Sequence, residues 1–164
     1  METYSKTYEI RWADLDANGQ VRYSTYIDAT ADVRFRFFAE HGFPPEAFQK
    51  LGIGPIHTSL TAQFLREVGL GETLTIPYTL AGLSPRGTRW KVHDDLLKSN
   101  GKKAAVISLE GVILDLNTRK PTLPPVELLD LVQQAPRASK FEESPDRLRP
   151  GKAHLGPGQS EVPP

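Results

Sequence analysis

One segment, from about Ser24 to His41, constrains the fold more than any other part of the chain. Its sequence, STYIDATADVRFRFFAEH, predicts a long helix that starts with Ser24 or Thr25 as its cap and stops at Gly42. One narrow arc carries a series of charged residues at i,i+4 spacing: Asp28, Asp32, Arg36 and Glu40. The rest of the circumference is mostly apolar, so protein must cover the helix on most sides.

Arg34 falls inside that apolar arc, opposite the charged series. A buried guanidinium needs a partner, because an unpaired charge is costly away from water. We predict that Arg34 pairs with a buried acid. Asp14, in the turn before the helix, is the candidate, and the pair would hold that turn against the helix.

The segments around the helix predict the strands that could cover it. Residues 7–12 indicate one strand before the helix, and residues 56–68, 73–83, 88–97 and 103–116 indicate four longer strands after it. Residues 45–51 and 126–133 indicate short helices. Leu74, Ile76, Tyr78 and Leu80 share one face of their strand, and Pro77 indicates an edge or a bulge. The order predicts an α+β fold in which a long antiparallel sheet wraps around one central helix, with a second subunit at its edge.

Composition limits the class of protein. The 164 residues are enough for one domain, which we place at residues 1–135, followed by a Pro- and Gly-rich, poorly ordered tail at 136–164. Lys+Arg and Asp+Glu both number 20, so no global basic field attracts nucleic acid or a membrane surface. The absence of cysteine excludes disulfides, Cys-ligated metals and a Cys nucleophile. With no apolar leader or membrane-length run, we expect a cytoplasmic protein.

The acidic turn before the helix allows two interpretations. Asp14 and Asp16 precede Ala17-Asn18-Gly19, and aspartate is common in turns because its side chain caps nearby N–H groups. The same turn leads into a helix N-terminus, whose free N–H groups can polarise a carbonyl. A carboxylate beside it can act as a nucleophile or as a general base on water, without metal or cofactor.

Other candidate residues carry weaker signals. The four histidines share no metal-ligand spacing, and only His57, on what we predict to be a central strand, is of interest. No serine-hydrolase, P-loop or dinucleotide-binding motif occurs. Arg86-Gly87-Thr88-Arg89 is either an ordinary solvated turn or a clamp for phosphate groups.

Three stretches together resemble a known family. They are IRWADLDANGQVRYSTYIDATADVRFRFF, LGIGPIHTSLTAQFLREVGLGETLTI and GLSPRGTRWKV. The first contains D-x-D, a glycine three residues on, an aromatic residue and a long helix. This pattern is similar to the N-terminal signature of the hotdog-fold acyl-CoA thioesterases of the 4-hydroxybenzoyl-CoA thioesterase group. The resemblance covers about residues 4–125.

The resemblance implies a role for each matched residue. Asp16 would be the catalytic carboxylate, and the backbone N–H of Tyr23 would hold the thioester oxygen. Gly19 would allow the turn, and Tyr26 would line the site. Binding of the acyl, pantetheine or phosphate groups would fall to Thr58, Thr88, Arg86 and Arg89. Asp14 and Arg34 would be structural residues near the site. The site would lie between subunits of a homodimer or homotetramer, with an acyl-CoA as the partner and no cofactor or metal.

The leading hypothesis is therefore an acyl-CoA thioesterase for a small or medium acyl group, aromatic or aliphatic. The alternative is a non-catalytic acyl- or CoA-binding hotdog dimer in which Asp16 is a turn cap. A hotdog dehydratase is disfavoured, because Gln20 stands where many relatives have a histidine after the turn.

Overall fold

The computed structural model describes Met1 and residues 3–146. Its three helices are α1 (Tyr23–Glu40), α2 (Pro45–Leu51) and α3 (Val126–Gln134), and a single 3-10 turn covers Trp12–Asp14. Its seven strands are β1 (Ser5–Glu9), β2 (Ile53–Phe64), β3 (Thr73–Pro77), β4 (Leu80–Leu83), β5 (Arg89–Lys98), β6 (Lys103–Asp115) and β7 (Arg137–Glu143). The predicted long helix is confirmed, and α2 has the predicted bounds. In this part of the chain no helix has the length and apolar character needed to cross a membrane.

All seven strands belong to one sheet. Its order runs β2, β6, β5, and then β3 and β4, which lie one after the other along β5. The far side is completed by β1 against β3 and β7 against β4. Every pairing is antiparallel except that of β4 with β7, which is parallel. The predicted α+β class, with a long sheet around one helix, is confirmed.

Helix α1 packs its apolar face against the sheet, in contact with β1, β3 and β6. Phe37 is fully buried, and its ring contacts those of Tyr4, Phe38 and Tyr78 at centroid distances of 4.6–5.4 Å. Burying one such ring contributes roughly 1.5–3 kcal/mol. The charged series at i,i+4 spacing is exposed, as predicted. Phe35 and Ala39 are exposed as well, so within this chain the helix is covered on one face only, and the predicted cover on most of its circumference is not complete.

The predicted strand at residues 73–83 is interrupted in its middle. Pro77 ends β3, and the pairing of β4 with β5 shifts register between Leu80 and Gly82. At the break, the N–H of Thr79 donates to Oδ1 of Asp94 at 2.8 Å, while the carbonyl oxygen of Thr79 accepts from the N–H of His93 at 3.0 Å. A buried carboxyl thus replaces one ladder hydrogen bond and brings Asp94 into the core.

Residues 137–143 correct the predicted tail. This segment lay within the stretch expected to be poorly ordered, yet it forms β7 and continues the sheet beside β4. The strand is mostly exposed, so its polar composition does not prevent it from forming: backbone hydrogen bonds and the Leu80–Pro136 link (2.7 Å) hold it in place. The remainder of the predicted tail, 147–164, lies outside the described residues.

Strand β2 is an edge strand, which corrects the prediction that His57 lies on a central one. Among the described residues, β2 pairs with β6 alone. Residues 57–61 are exposed, and the same strand presents the apolar side chains of Leu60 and Phe64, 43% and 51% exposed. A long edge strand with exposed apolar groups favours pairing with another chain.

The turn at residues 84–88 offers a test of the packing of α3. Gly87 has a φ of 71°, and a Cβ there would lie 2.7 Å from Cδ1 of Leu129 and 2.9 Å from Cγ of Pro124. Gly101 has a similar φ of 77° with nothing within 4 Å. We expect Gly101→Ala to lower the free energy of unfolding by about 1 kcal/mol through its backbone alone. Gly87→Ala should cost about 1–3 kcal/mol more, because α3 blocks the added methyl group.

Urea denaturation of the two variants beside the wild type measures this difference. Equal losses for both glycines would show that α3 yields to the methyl group, and would contradict the close packing of α3 on the turn.

Candidate active site

The acidic turn forms the tip of a small hairpin between β1 and α1. Leu15 and Val21 form an antiparallel bridge, and the N–H of Asp16 donates to the carbonyl oxygen of Gln20 at 2.7 Å. Gly19 has a φ of 73°, and its N–H donates to the carbonyl oxygen of Asp16 at 3.1 Å. A Cβ at this position would meet nothing within 4 Å, so lack of space does not require glycine here. The positive φ does.

The carboxylate of Asp16 uses its two oxygens differently. Oδ1 accepts the backbone N–H groups of Asn18 at 2.8 Å and Gln20 at 3.1 Å, an Asx-type turn. Within the described range Oδ2 has no hydrogen-bond partner, and the side chain is exposed. One oxygen therefore fixes the orientation of the carboxylate, and the other is free to act on water or a substrate.

The start of α1 lies beside this turn and has no side-chain cap. The predicted caps, Ser24 and Thr25, are wrong: the N-cap residue is Arg22, and the hydroxyl of Thr25 points back to the carbonyl oxygen of Asp14 at 3.4 Å. The N–H of Thr25 donates to the carbonyl oxygen of Arg22, whereas those of Tyr23 and Ser24 meet no acceptor among the described residues. Unpaired donors at the positive end of a helix suit an oxyanion.

Asp14 fixes the hairpin to the body of the protein. Its buried carboxylate accepts the N–H of Arg11 at 2.8 Å, the guanidinium of Arg11 at 3.2 Å and the hydroxyl of Tyr8 at 3.1 Å. Burial by itself would raise the pKa of Asp14, but the hydrogen bonds from Arg11 and Tyr8 lower that pKa below its usual value. Asp14 is thus a structural residue whose partner is Arg11. The predicted pairing of Asp14 with Arg34 is wrong.

Asp16 and Tyr23 line one cleft of about 370 Å³, which we call the Asp16 cleft. Tyr26 forms its inner wall, with its ring 5.4 Å from that of Phe64 at the end of β2. Arg66, exposed, lies at the rim. Phe64 and Arg66 were not predicted as site residues; Phe64 reaches the cleft because β2 extends to it, and Arg66 follows two residues later. An acid, the first residue of α1 with its unpaired N–H group and an aromatic wall therefore line one cleft.

The other predicted binding residues lie elsewhere on the same subunit. Thr58 and Arg89 line a small depression on the opposite part of β2 and β5. Thr58 is six residues from Phe64, a separation of about 20 Å along an extended strand. Arg86 is exposed, on the turn before β5. A single subunit therefore does not bring these residues to Asp16.

Thr88 is fully buried and its hydroxyl is already occupied. It donates to Oδ1 of Asp146 at 2.6 Å and lies 3.2 Å from the hydroxyl of Ser84. The N–H of Arg86 also donates to Asp146, at 3.3 Å. Burial raises the pKa of Asp146, but the hydrogen bonds from Ser84 and Thr88 outweigh it and lower the pKa. In this subunit Thr88 stabilises the turn and presents no free hydroxyl to a substrate.

Arg34 is buried as predicted. The acid that interacts with it electrostatically is Asp94. Nη2 of Arg34 lies 3.2 Å from Nε2 of His57, and Asp94 acts on Arg34 through space. Burial lowers the pKa of Arg34 and raises that of Asp94 to about 8. The sequence does contain a signal for Asp94, since it alternates with Val92 and Leu96, both buried.

Solved structures share this fold. A hypothetical protein from Staphylococcus aureus, solved in complex with CoA, has a TM-score of 0.76 at 15% identity, over 99% of this chain and 96% of its own. A 1,4-dihydroxy-2-naphthoyl-CoA thioesterase from Synechocystis has a TM-score of 0.73 at 13% identity, over 80% of this chain and 96% of its own. A DHNA-CoA thioesterase from Staphylococcus aureus has a TM-score of 0.73 at 19% identity, over 82% of this chain and 91% of its own. These likenesses define a hotdog fold.

The family model of the Thioesterase-like superfamily matches residues 10–132, and the chain belongs to this family. The matched residues include the hairpin tip, α1, and the sheet from β2 to β6. The resemblance noted in the sequence is therefore confirmed. No curated protein sequence matches the chain significantly.

The environment of Asp94 predicts how stability depends on pH. Burial raises the pKa of Asp94 from its ordinary value of 3.8 to about 8 in the folded state, and this effect exceeds the lowering by the N–H of Thr79 and by Arg34. The unfolded chain loses this proton near pH 4 and the folded chain near pH 8. The contribution of this group to folding is therefore complete below pH 4 and is lost as the pH rises to 8.

We expect the free energy of unfolding of Asp94→Asn to fall less between pH 5 and pH 8 than that of the wild type. Denaturant titrations at four pH values measure this slope. Asp28→Asn, on the exposed arc of α1, is the control and should follow the wild type. A variant with the wild-type slope would place the proton on another group.

Proposed function

We propose that the protein hydrolyses the thioester of a small or medium acyl-CoA, aromatic or aliphatic. The observation that carries the proposal is the juxtaposition, in one cleft, of Asp16, whose Oδ2 is free, and Tyr23, whose N–H at the start of α1 is unpaired. The first can deliver a nucleophile, and the second can stabilise the oxyanion that the attack creates.

The reaction follows from this geometry. The thioester oxygen accepts the N–H of Tyr23, which polarises the carbonyl carbon. Oδ2 of Asp16 then either removes a proton from a water that attacks this carbon, or attacks it directly. In the first route the tetrahedral intermediate breaks its C–S bond, the acid is released, and the CoA sulfur takes the proton from Asp16. In the second, an Asp16 anhydride forms as CoA leaves, and water hydrolyses it.

The chemistry uses side chains that the fold holds in place. Oδ1 of Asp16 is tied by two backbone N–H groups, so little rotational freedom is lost when the substrate binds. Tyr26 and Phe64 offer an aromatic wall for the acyl group. Membership of the Thioesterase-like superfamily and the likeness to a structure solved with CoA support a CoA thioester as the substrate.

The exposed edge of β2 supports a homodimer as the working unit. Pairing of two β2 strands would cover the apolar side chains of Leu60 and Phe64. It would also allow Thr58 and Arg89 of one subunit to serve the Asp16 cleft of the other, which they do not reach within their own subunit. Two such dimers can form a homotetramer.

A non-catalytic acyl- or CoA-binding dimer is the second candidate. It is favoured by the Asx turn, which gives Asp16 a purely structural use, and by Gln20 at the cleft, which cannot exchange a proton as histidine can.

Asp16→Asn separates the two candidates. The asparagine side-chain oxygen can still accept both backbone N–H groups, so the turn and the fold are retained. It cannot activate water or form an anhydride, so we expect kcat to fall by about 100-fold or more. The measurement is hydrolysis of a panel of aromatic and aliphatic acyl-CoA thioesters by the wild type and the variant.

Asp28→Asn is the matched control, because Asp28 is an exposed acid on the outer arc of α1. It should retain wild-type turnover. If Asp16→Asn also retained it, Asp16 would be a turn cap alone; if the wild type bound the thioesters without hydrolysing them, the binding protein would be the correct description.

The dimer has a separate test. Leu60→Lys places a charge on the exposed strand β2, and we expect it to convert the protein to monomers and to reduce turnover, because the partner's residues are lost from the cleft. Leu123→Lys, at another exposed leucine, is the control. Light scattering after gel filtration measures the mass; a Leu60→Lys protein that kept the wild-type mass would place the interface elsewhere.

A further inference from the structure

A second cavity lies at the other end of α1 from the Asp16 cleft. We call it the Arg34 cavity. It is about 60 Å³, enclosed between the second half of α1, strands β4 and β5, and helix α3, with walls that are almost entirely apolar, including Phe38, Trp90 and Val132. It shares no lining residue with the Asp16 cleft. Tyr23 and Arg34 are eleven residues apart on one helix, about 16 Å along its axis.

Arg34 is the polar feature of this cavity that lacks a direct counter-charge. The residue is 9% exposed, and its Nη1 is buried without a hydrogen-bond partner. Nη2 lies against the imidazole of His57 at 3.2 Å, and no described carboxylate lies within 4 Å of the guanidinium. A buried guanidinium that opens onto an apolar cavity favours an anion with an apolar body.

The titratable neighbours of Arg34 do not neutralise it near pH 7. Asp94 is the acid that acts on it through space, and burial raises the pKa of Asp94 to about 8. Burial and the charge of Arg34 lower the pKa of His57, so its imidazole is neutral. Tyr78, fully buried, has a raised pKa and stays a neutral phenol. No direct ion pair within the described residues therefore compensates the guanidinium of Arg34.

We propose that the Arg34 cavity binds a small apolar monocarboxylate, with the carboxylate accepting from the guanidinium of Arg34 and the apolar tail against the aromatic wall. Phe35, 46% exposed, lines the mouth and would flank a tail longer than the cavity. The acid released by thioester hydrolysis has this chemistry, as does a free acid from another source. The binding itself does not depend on the proposed hydrolysis.

The test uses benzoate and hexanoate as probes, with benzyl alcohol and hexanol as neutral counterparts, at pH 6.5. The chain has two tryptophans, and Trp12 is 81% exposed, so a Trp12→Phe protein reports binding through Trp90 in the cavity wall. We expect each acid to bind about tenfold or more tightly than its alcohol, as a hydrogen bond to a charged group implies. Arg34→Met should abolish that preference and leave alcohol binding unchanged.

Two further variants make the outcome decisive. Val132→Phe keeps Arg34 but fills the cavity, so it should lose acid binding even if Arg34→Met does not fold. Asp16→Asn should bind the acids as the wild type does, which separates this cavity from the proposed active site. Equal binding of acid and alcohol, no binding of either acid, or full acid binding by Val132→Phe would overturn the proposal.

Discussion

The hydrogen-bonded junction around Asp14 is the interaction on which the candidate site depends. Its side chain holds Arg11 and Tyr8, while its carbonyl oxygen accepts the N–H of Arg22 and the hydroxyl of Thr25. One residue thus joins the end of β1 to the beginning of α1. The hairpin tip that carries Asp16 projects from this junction, so its position relative to the helix N-terminus is set by buried contacts rather than by the exposed turn.

The same junction explains why α1 begins without a side-chain cap. Thr25 faces inward to Asp14, and Arg22 occupies the N-cap position, where its side chain donates instead to the carbonyl oxygen of Ala13 at 2.8 Å. A capped helix start would be more stable by about 1 kcal/mol, but its N–H groups would be occupied. A cap would accept the N–H of Ser24 or Thr25, so its absence leaves the N–H of Ser24 unpaired in addition to that of Tyr23.

Much of the fold could be predicted from the sequence, because periodicity determines which residues are buried. Alternation in the 73–83 segment identified the buried face of Leu74, Ile76, Tyr78 and Leu80, and Pro44-Pro45 with Gly52 fixed the short helix α2. Strand β7 could not be predicted this way: it is an exposed edge strand, and its stability comes from backbone pairing with β4, which leaves no apolar period. In the candidate site, the turn with Asp16 could be predicted from the local sequence pattern. The partners of Arg34 and Thr88 could not, because they come from distant parts of the chain.

Helix α1 carries unpaired hydrogen-bond donors at two places along its length. At its N-terminus the helix presents unpaired N–H groups to the Asp16 cleft, and eleven residues later it buries a guanidinium with an unpaired donor. Both residues, Tyr23 and Arg34, line openings that also contain aromatic side chains. Because an unsatisfied buried donor is costly, the unpaired Nη1 of Arg34 supports an acceptor that arrives with a ligand, whereas the N–H of Tyr23 lies at an exposed helix start that water or a substrate can reach. In the two proposals, a thioester oxygen would accept at the start of α1 and a carboxylate oxygen would accept at Arg34; both acceptors belong to acyl groups, one before hydrolysis and one after it.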